Sequence, residues 1–286
     1  MKKYLVLLLF AASFPLSAFN WPQEEIMPDS FYSYFGQLRG GTISTSLVFA
    51  NTSDVKAADN GKVIAVINEY DDDSCFFPSS LGNAVIVAHN DSLLTVYGNI
   101  DGETLSKVVY TSASVKNGTV FGSSGNSGWQ QGRSSLEFQV IDTKNNTAIN
   151  PRVLMPRIGE ELPLTLTGIT LENKTGTRYD LLIQRTIPSG QYRVYRQRQP
   201  VAIPYKTRIT INGIIIDTVT YDQLIRDGNT VCVAGRKNYP KDELYPDDRL
   251  QLLGEVILTP GKNTLGMTLT DILGKETTSA YSLTIY

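Results

Sequence analysis

Apolar and polar residues alternate with a period of two along most of this sequence, whereas the spacing of an amphipathic helix is almost absent. The alternation or a short β-branched run is clear in Lys62–Ile67, Ala84–Ala88, Leu93–Tyr97, Leu136–Val140, Leu162–Leu166, Ile209–Ile211, Leu265–Leu269 and Tyr281–Ile285. Turn residues such as Gly, Asn and Pro separate these runs. Because side chains of a strand alternate between two faces, the pattern predicts an all-β protein of many short strands.

The length of the chain, 286 residues, suits two domains. Pro151 and Pro156 lie close together and interrupt any continuing element, after which the alternation restarts. We therefore place a domain boundary at about Pro156, with one domain at 19–156 and a second at 157–286. The several short strands of the second domain predict a β-sandwich, immunoglobulin-like in type.

The first residues predict export from the cytoplasm. Lys2 and Lys3 precede an apolar run from Tyr4 to Phe14, and Ala18 ends the segment with a small residue suited to cleavage. The apolar run is shorter than the roughly 20 residues that span a bilayer. We expect a signal peptide at 1–18 and a periplasmic or extracellular protein, with an uncleaved anchor as the alternative.

The charge of the chain gives no support for nucleic-acid binding. The formal net charge is −2, and it becomes more negative when Lys2 and Lys3 are removed. Two cysteines, Cys75 and Cys232, are too few for a disulfide framework. We favour two separate buried thiols over a disulfide between the domains.

Three arginines are interleaved with two tyrosines in the segment Tyr192–Arg198. In an acidic β-protein we interpret it as an exposed strand whose alternate residues face inward. The alternative is a surface that contacts an anionic polymer or a protein partner.

A series of short motifs between Phe35 and Met155 resembles the LytM/lysostaphin-type zinc peptidases, in the order that this family has them. That family has a V-x-A-x-x-x-G-x-V hairpin, a strand ending in His, a strand reading T-x-Y-x-H-L, two glycine turns, a strand reading H-L-H-F-E and a closing N-P. The corresponding segments are Val55–Val63, Gly82–Asn90, Thr95–Ile100, Val115–Gly118, Phe121–Gly128, Ser134–Val140 and Asn150–Pro151. The resemblance implies a LytM-type β-sheet core over about 35–155.

The same resemblance implies a zinc site that this chain has lost. The family cleaves peptide cross-bridges of peptidoglycan with one zinc held by two His and one Asp, and a bound water is the nucleophile. The three ligand positions fall on Ser44, Val48 and Glu137. The sequence has a single histidine, His89, at a position that the family does not use as a ligand. We therefore expect no zinc, no other cofactor and no catalytic residue.

Polar residues stand at two of the three ligand positions, Ser44 and Glu137, and the other histidines of the family fall on Asn99 and Ser135. Together with Tyr97, these residues would present hydroxyl, amide and carboxylate groups. We predict that these five side chains line the emptied groove and can hold an extended peptide or a glycan stem.

The resemblance therefore implies an exported, catalytically inactive peptidase-like protein that binds peptidoglycan, or that docks onto a cell-wall hydrolase or amidase and regulates it. One alternative is a metal-dependent endopeptidase with an atypical site, in which Glu137 would act with Asp54 or Asp59 as oxygen ligands. Another alternative is a structural envelope protein whose sandwich is the working part.

Overall fold

The computed structural model describes residues 18–68, 79–128 and 133–286. Residues 1–17 of the predicted signal peptide, and Cys75, lie outside this part of the chain. Cys232 is a free, buried thiol. None of the helices in the described part is long and apolar enough to cross a membrane. The described residues are mostly β-structure, as the alternation predicts.

The strands of the N-terminal half are short. They are β1 (Phe31–Ser33), β2 (Leu38–Arg39), β3 (Thr42–Ile43), β4 (Leu47–Phe49), β5 (Asp54–Lys56), β6 (Lys62–Ile67), β7 (Asn83–Ala88), β8 (Leu93–Ile100), β9 (Val120–Ser123), β10 (Glu137–Asp142) and β11 (Thr147–Ile149). Single helical turns lie at α1 (Val108–Thr111) and α2 (Pro151–Leu154), with a 3-10 turn at Asn90–Ser92.

The strands of the C-terminal half are longer. They are β12 (Thr170–Asn173), β13 (Arg178–Asp180), β14 (Thr186–Ile187), β15 (Gly190–Gln197), β16 (Lys206–Ile211), β17 (Ile214–Asp227), β18 (Thr230–Ala234), β19 (Asn238–Pro240), β20 (Leu250–Leu258), β21 (Gly261–Thr270) and β22 (Glu276–Ile285). One helical turn, α3 (Lys241–Leu244), lies between β19 and β20.

The central sheet of the N-terminal half has the strand order β11-β10-β8-β7-β6, and β4 also pairs with β10. Phe138 of β10 lies opposite Tyr97 of β8, and Glu137 lies opposite Gly98. Because directly opposed residues share a face of the sheet, Tyr97 and Phe138 both face the core, where their ring centroids are 5.1 Å apart. Glu137 consequently faces the other side of the sheet.

The C-terminal half has two sheets around one core. One sheet has the order β14-β22-β21-β16-β17, and the other has the order β13-β12-β15-β20. Leu171 and Val194 from the second sheet pack in the same buried cluster as Ile209 and Leu265 from the first. The prediction of two packed sheets agrees with this arrangement, and the immunoglobulin-like type remains a prediction.

The two halves share a sheet and a hydrophobic cluster. β11 of the N-terminal half pairs antiparallel with β17 of the C-terminal half. Phe35 and Ile43 pack in one buried cluster with Tyr221 of β17. The Tyr245 hydroxyl donates a hydrogen bond to the backbone oxygen of Gly36 at 2.7 Å. The boundary at Pro156 stays a prediction, but the two halves are not independent in their packing.

The alternating segment Leu162–Leu166 is not a strand, which corrects the sequence prediction. Leu164 is buried against the C-terminal core, so its alternation does reflect burial. Side chains, instead of a neighbouring strand, form hydrogen bonds with the backbone of this segment. The Arg196 guanidinium donates to the Thr165 oxygen at 2.7 Å, and the Thr165 amide donates to the Gln199 side chain at 2.9 Å.

Arg196 contradicts the prediction that the arginines of Tyr192–Arg198 lie on an exposed face. A bulge between Val194 and Tyr195 shifts the alternation of β15, and Val194, Tyr195 and Arg196 are all buried. The guanidinium is bound by neutral oxygens, including Gln251 Oε1 at 2.8 Å. Burial lowers the pKa of Arg196 from its ordinary value, because desolvation disfavours the charged form.

We predict that Phe35→Ala lowers the free energy of unfolding by about 3–5 kcal/mol, because it opens a cavity in the cluster shared by both halves. Urea denaturation measures this loss, and hydrogen exchange should show weaker protection in β17 and β18 as well. Val120→Ala, at a side chain that is 41% exposed, is the control and should change stability by less than about 0.5 kcal/mol. Unchanged exchange in β17 and β18 would contradict the coupling of the halves.

Candidate functional site

A buried ion pair lies at the position where the sequence places the last zinc ligand. Glu137 opens β10, and its carboxylate is bound by both terminal nitrogens of Arg39. Arg39 Nη1 is 3.0 Å from Glu137 Oε1, and Nη2 donates to Oε2 at 3.1 Å. One hydrogen bond and one close ion-pair contact therefore join the guanidinium to both oxygens of the carboxylate. The side chains are 16% and 6% exposed, so the pair is largely withdrawn from water.

A tight hairpin holds Arg39 in this place. Arg39 ends β2 and lies opposite Thr42 of β3, with only Gly40 and Gly41 between them. Both glycines have positive φ, 56° and 79°, which a two-residue hairpin of this kind requires. No motif in the sequence marks Arg39 as a functional residue. The Gly-Gly pair between Leu38 and Ile43 is the one local signal of a hairpin that would position the side chain of Arg39.

Two serines complete the cluster around Glu137. The Ser46 hydroxyl donates to Glu137 Oε1 at 2.7 Å and accepts a hydrogen bond from Arg39 at 3.2 Å. Ser44 Oγ is 3.3 Å from Ser46 Oγ and donates to the Ser46 backbone oxygen at 3.1 Å. We call Arg39, Ser44, Ser46 and Glu137 the Arg39–Glu137 cluster. The structure therefore brings together Ser44 and Glu137, two of the predicted site residues.

Asn99 stabilises the loop that leads into β10. Its side-chain amide donates to the backbone oxygens of Gly125 and Ser135, each at 2.6 Å, and its oxygen accepts from the Gly128 amide at 2.8 Å. The residue has φ 63°, a conformation that Asn tolerates better than most residues. Asn99 is fully buried, so its polar groups bind the protein's own backbone instead of lining a groove.

Tyr97 lies on the opposite side of the sheet from Glu137, which corrects its placement in the groove. Its hydroxyl accepts a hydrogen bond from the Ala58 amide at 2.7 Å, and its ring packs edge-on against Phe121 and Phe138. Burial raises the pKa of Tyr97 to about 12. The two-residue period of β8 explains this position, because Tyr97 shares the face of the core residues.

Val48 and Ser135, the remaining predicted site residues, are also buried. Val48 lies in β4 directly opposite Glu137. Ser135 is 1% exposed, and its hydroxyl oxygen makes no hydrogen bond within the described residues. Ser44, Val48, Asn99, Ser135 and Glu137 are therefore all buried, and their side chains are not exposed to an open groove.

The side chains at the ligand positions do not fit zinc. A zinc peptidase site needs three nitrogen, sulfur or carboxylate ligands from the protein. Ser44 supplies only a hydroxyl, Val48 supplies no donor, and the Glu137 carboxylate is bound by a guanidinium. Asp54, proposed as an alternative ligand, accepts a hydrogen bond from Ser123 at 3.3 Å. Across residues 18–68, 79–128 and 133–286, no group of three or more His, Cys, Asp or Glu could hold a metal ion.

His89 supports the core side of the sheet. Its Nδ1 is 2.8 Å from the Asn60 oxygen, and its Nε2 is 2.7 Å from Thr95 Oγ1. A carbonyl oxygen only accepts, so Nδ1 donates this hydrogen bond. Thr95 is two residues from Tyr97 on β8 and shares its face, which is the face opposite Glu137. His89 is therefore a structural residue at the strand end.

Comparison with known proteins gives a match to each half of the chain. The model of Peptidase family M23 matches residues 43–151. A second family model, without a description, matches residues 163–286. An uncharacterized protein of Treponema pallidum (strain Nichols) is 30% identical over 122 residues, which are 40% of this chain and 80% of that protein.

The solved structures that match this chain have low sequence identity to it and low TM-scores. SpoIIQ in complex with SpoIIIAH has 22% identity and a TM-score of 0.36, covering 46% of this chain and 96% of that chain. A zinc-containing peptidase from Vibrio cholerae has 23% identity and a TM-score of 0.37, covering 51% and 41%. A point mutant of the catalytic domain of the prophage-encoded M23 protein EnpA from Enterococcus faecalis has 22% identity and a TM-score of 0.36, covering 45% and 93%.

We predict that Arg39→Ala lowers the free energy of unfolding by about 3 kcal/mol, because it leaves the Glu137 carboxylate buried without its cation. Adding Glu137→Gln should recover part of this loss, since a neutral amide costs less to bury. Urea denaturation of the single and double variants measures both effects. Arg208→Ala, which breaks an exposed pair with Glu276, is the control and should cost less than about 1 kcal/mol. Equal losses in the two arginine variants would contradict a buried role for Arg39.

Proposed function

The chain belongs to peptidase family M23 through its N-terminal domain, and on this premise we propose that it is an exported, non-catalytic protein that binds peptidoglycan. The observation that carries the proposal is the Arg39–Glu137 cluster. It places a guanidinium, which is always charged, against the only carboxylate at the ligand positions. A cation in this place disfavours a second cation, so the cluster opposes zinc binding.

The histidine content supports the same proposal. Zinc peptidase chemistry in this family uses two imidazole ligands and further histidines for proton transfer. The sequence has one histidine, and His89 is bound to Asn60 and Thr95 on the other side of the sheet. Loss of the metal does not remove the scaffold, because β10 is held between β4 and β8 by backbone pairing and by the buried residues Leu47, Tyr97 and Phe138.

An extracytoplasmic location supports binding to peptidoglycan. Members of family M23 are typically extracytoplasmic, and the Lys2–Lys3 pair with the apolar run that follows has the form of a signal peptide. Both observations support a location on the side of the membrane where peptidoglycan lies.

We assign the C-terminal half to the immunoglobulin-like class as part of this proposal. The order β14-β22-β21-β16-β17 with a parallel β14–β22 pair, and the separate pairing of β15 with β20, have the form of the two sheets of such a domain. In this arrangement the C-terminal half supports the N-terminal domain through β11 and β17. A crystal structure with β15 and β16 in one sheet would overturn this assignment.

We predict that the purified full chain co-sediments with purified sacculi, contains far less than one zinc per chain after dialysis against zinc, and releases no peptide fragments from the sacculi. Arg208→Ala, which breaks an exposed ion pair with Glu276 far from the Arg39–Glu137 cluster in sequence, is the control variant and should co-sediment equally well. Metal analysis, co-sedimentation and chromatography of released fragments measure the three results.

Three outcomes would replace the proposal. About one zinc per chain together with cleavage of cross-bridges would make the protein an endopeptidase with an atypical site. Failure to co-sediment, with cross-linking to a cell-wall hydrolase or amidase, would make it a regulator of that enzyme. Failure in both assays would favour a structural envelope protein.

A further inference from the structure

A surface cleft of about 520 Å³ lies between the two halves of the chain, next to the Arg39–Glu137 cluster. Its size is within the range of small-ligand sites, about 300–1,000 Å³. Both halves contribute to its walls, so the cleft exists only because the second domain packs against the first. The lining residues that matter here are Tyr32, Leu38, Arg39, Arg198, Pro200 and Val201.

The lining of the cleft is cationic. Arg39 and Arg198 are two of its lining residues, and no Asp or Glu is among them. Arg198 is held by its Nε, which donates to the Asp248 backbone oxygen at 2.9 Å. Within the described residues no carboxylate forms an ion pair with Arg198, so its terminal nitrogens are available to an anion. Arg133 adds a third guanidinium at the rim, 4.2 Å from the centre of the Tyr32 ring.

The cleft also has an apolar wall. Val201 is 43% exposed and Tyr32 is 39% exposed, and Pro200 and Leu38 lie beside them. Exposed apolar side chains next to a cation suit a ligand that has an anionic group and a small apolar group close together. A phosphate ion alone would leave this wall in contact with water.

We propose that this cleft binds the carboxylate end of a short peptide with small apolar side chains. Arg198 binds the carboxylate, because the guanidinium fork matches a carboxylate with two hydrogen bonds. The apolar side chain of the peptide packs on Val201 and Pro200. Arg39 remains bound to Glu137, so the charge of Arg39 is balanced and Arg198 supplies the cation for the ligand. This inference rests on the proposed function, because it takes peptidoglycan as the source of such peptides.

The experiment titrates the full chain with N-acetyl-D-alanyl-D-alanine, which has the D configuration of the terminal alanines of peptidoglycan, and, separately, with the same dipeptide as its C-terminal amide. We expect the acid to bind at least about tenfold more tightly than the amide, because a hydrogen bond to a charged group is lost. Arg198→Gln should weaken binding of the acid by a similar factor. Val201→Asp, at a surface side chain, places a carboxylate in the cleft and should also weaken it. Isothermal titration calorimetry measures these affinities.

Arg226→Gln is the matched control. Arg226, like Arg198, donates from Nε to a backbone oxygen, here Gly228 at 2.9 Å, but it lies outside the cleft. This variant should bind the dipeptide acid as tightly as the wild type. Equal affinity for acid and amide, or unchanged affinity in both Arg198→Gln and Val201→Asp, would overturn the proposal. Inorganic phosphate binding as tightly as the dipeptide would overturn the assignment to a peptide.

The dipeptide and sacculus assays fail separately. Binding to sacculi without binding of the dipeptide would leave the proposed function in place and remove the cleft as the peptide site. Binding of the dipeptide without binding to sacculi would support the cleft and remove peptidoglycan as the ligand's source.

Discussion

The pairing of β10 with β4, β8 and β11 determines most of the geometry of the N-terminal half. It directs Phe138 and Val140 into the core and Glu137 to the opposite face. β11, which pairs with β10, also pairs with β17 and so connects the sheet to the C-terminal half. The pairing of β10 therefore fixes the side of the sheet on which Glu137 lies, the core side chains and the position of β11 at the contact between the halves.

Glu137 on the outer face of β10 creates a cost that the structure must offset. Burying a carboxylate is unfavourable unless a cation and hydrogen bonds compensate it. Arg39 and Ser46 supply both, and the hairpin at Gly40–Gly41 brings Arg39 into position. Glu137 is the position at which the sequence predicts the last zinc ligand, and Arg39 balances its charge within the protein.

The contact between the halves has a consequence for binding. Phe35 and Ile43 pack with Tyr221 in a shared cluster, and this packing sets Arg198 and Val201 beside Tyr32 and Arg39. The open surface next to the former zinc position is therefore built by both domains. A ligand in this cleft would contact the second half directly, so that half has a role beyond that of a spacer in our proposal.

The sequence by itself determined the β-class, the order of the M23 motifs and the lack of histidine ligands. The last of these needs no alignment register, because the chain has a single histidine. The strands β6, β7, β8 and β10 also follow from local alternation and β-branched runs. Such features depend on residue identity and short-range spacing, which the sequence contains directly.

The tertiary structure alone decided which side chains meet. Arg39 and Glu137 are 98 residues apart, and no local pattern marks Arg39 as the partner. The motif that contains Tyr97 and Asn99 predicts that both side chains line a groove. Strand register instead directs Tyr97 into the core, and the side-chain amide of Asn99 forms hydrogen bonds with the backbone of the loop before β10. Leu162–Leu166 alternates like a strand, yet Arg196 and Gln199 bind its backbone instead. Contacts between distant segments depend on packing and register, and these are properties of the folded chain.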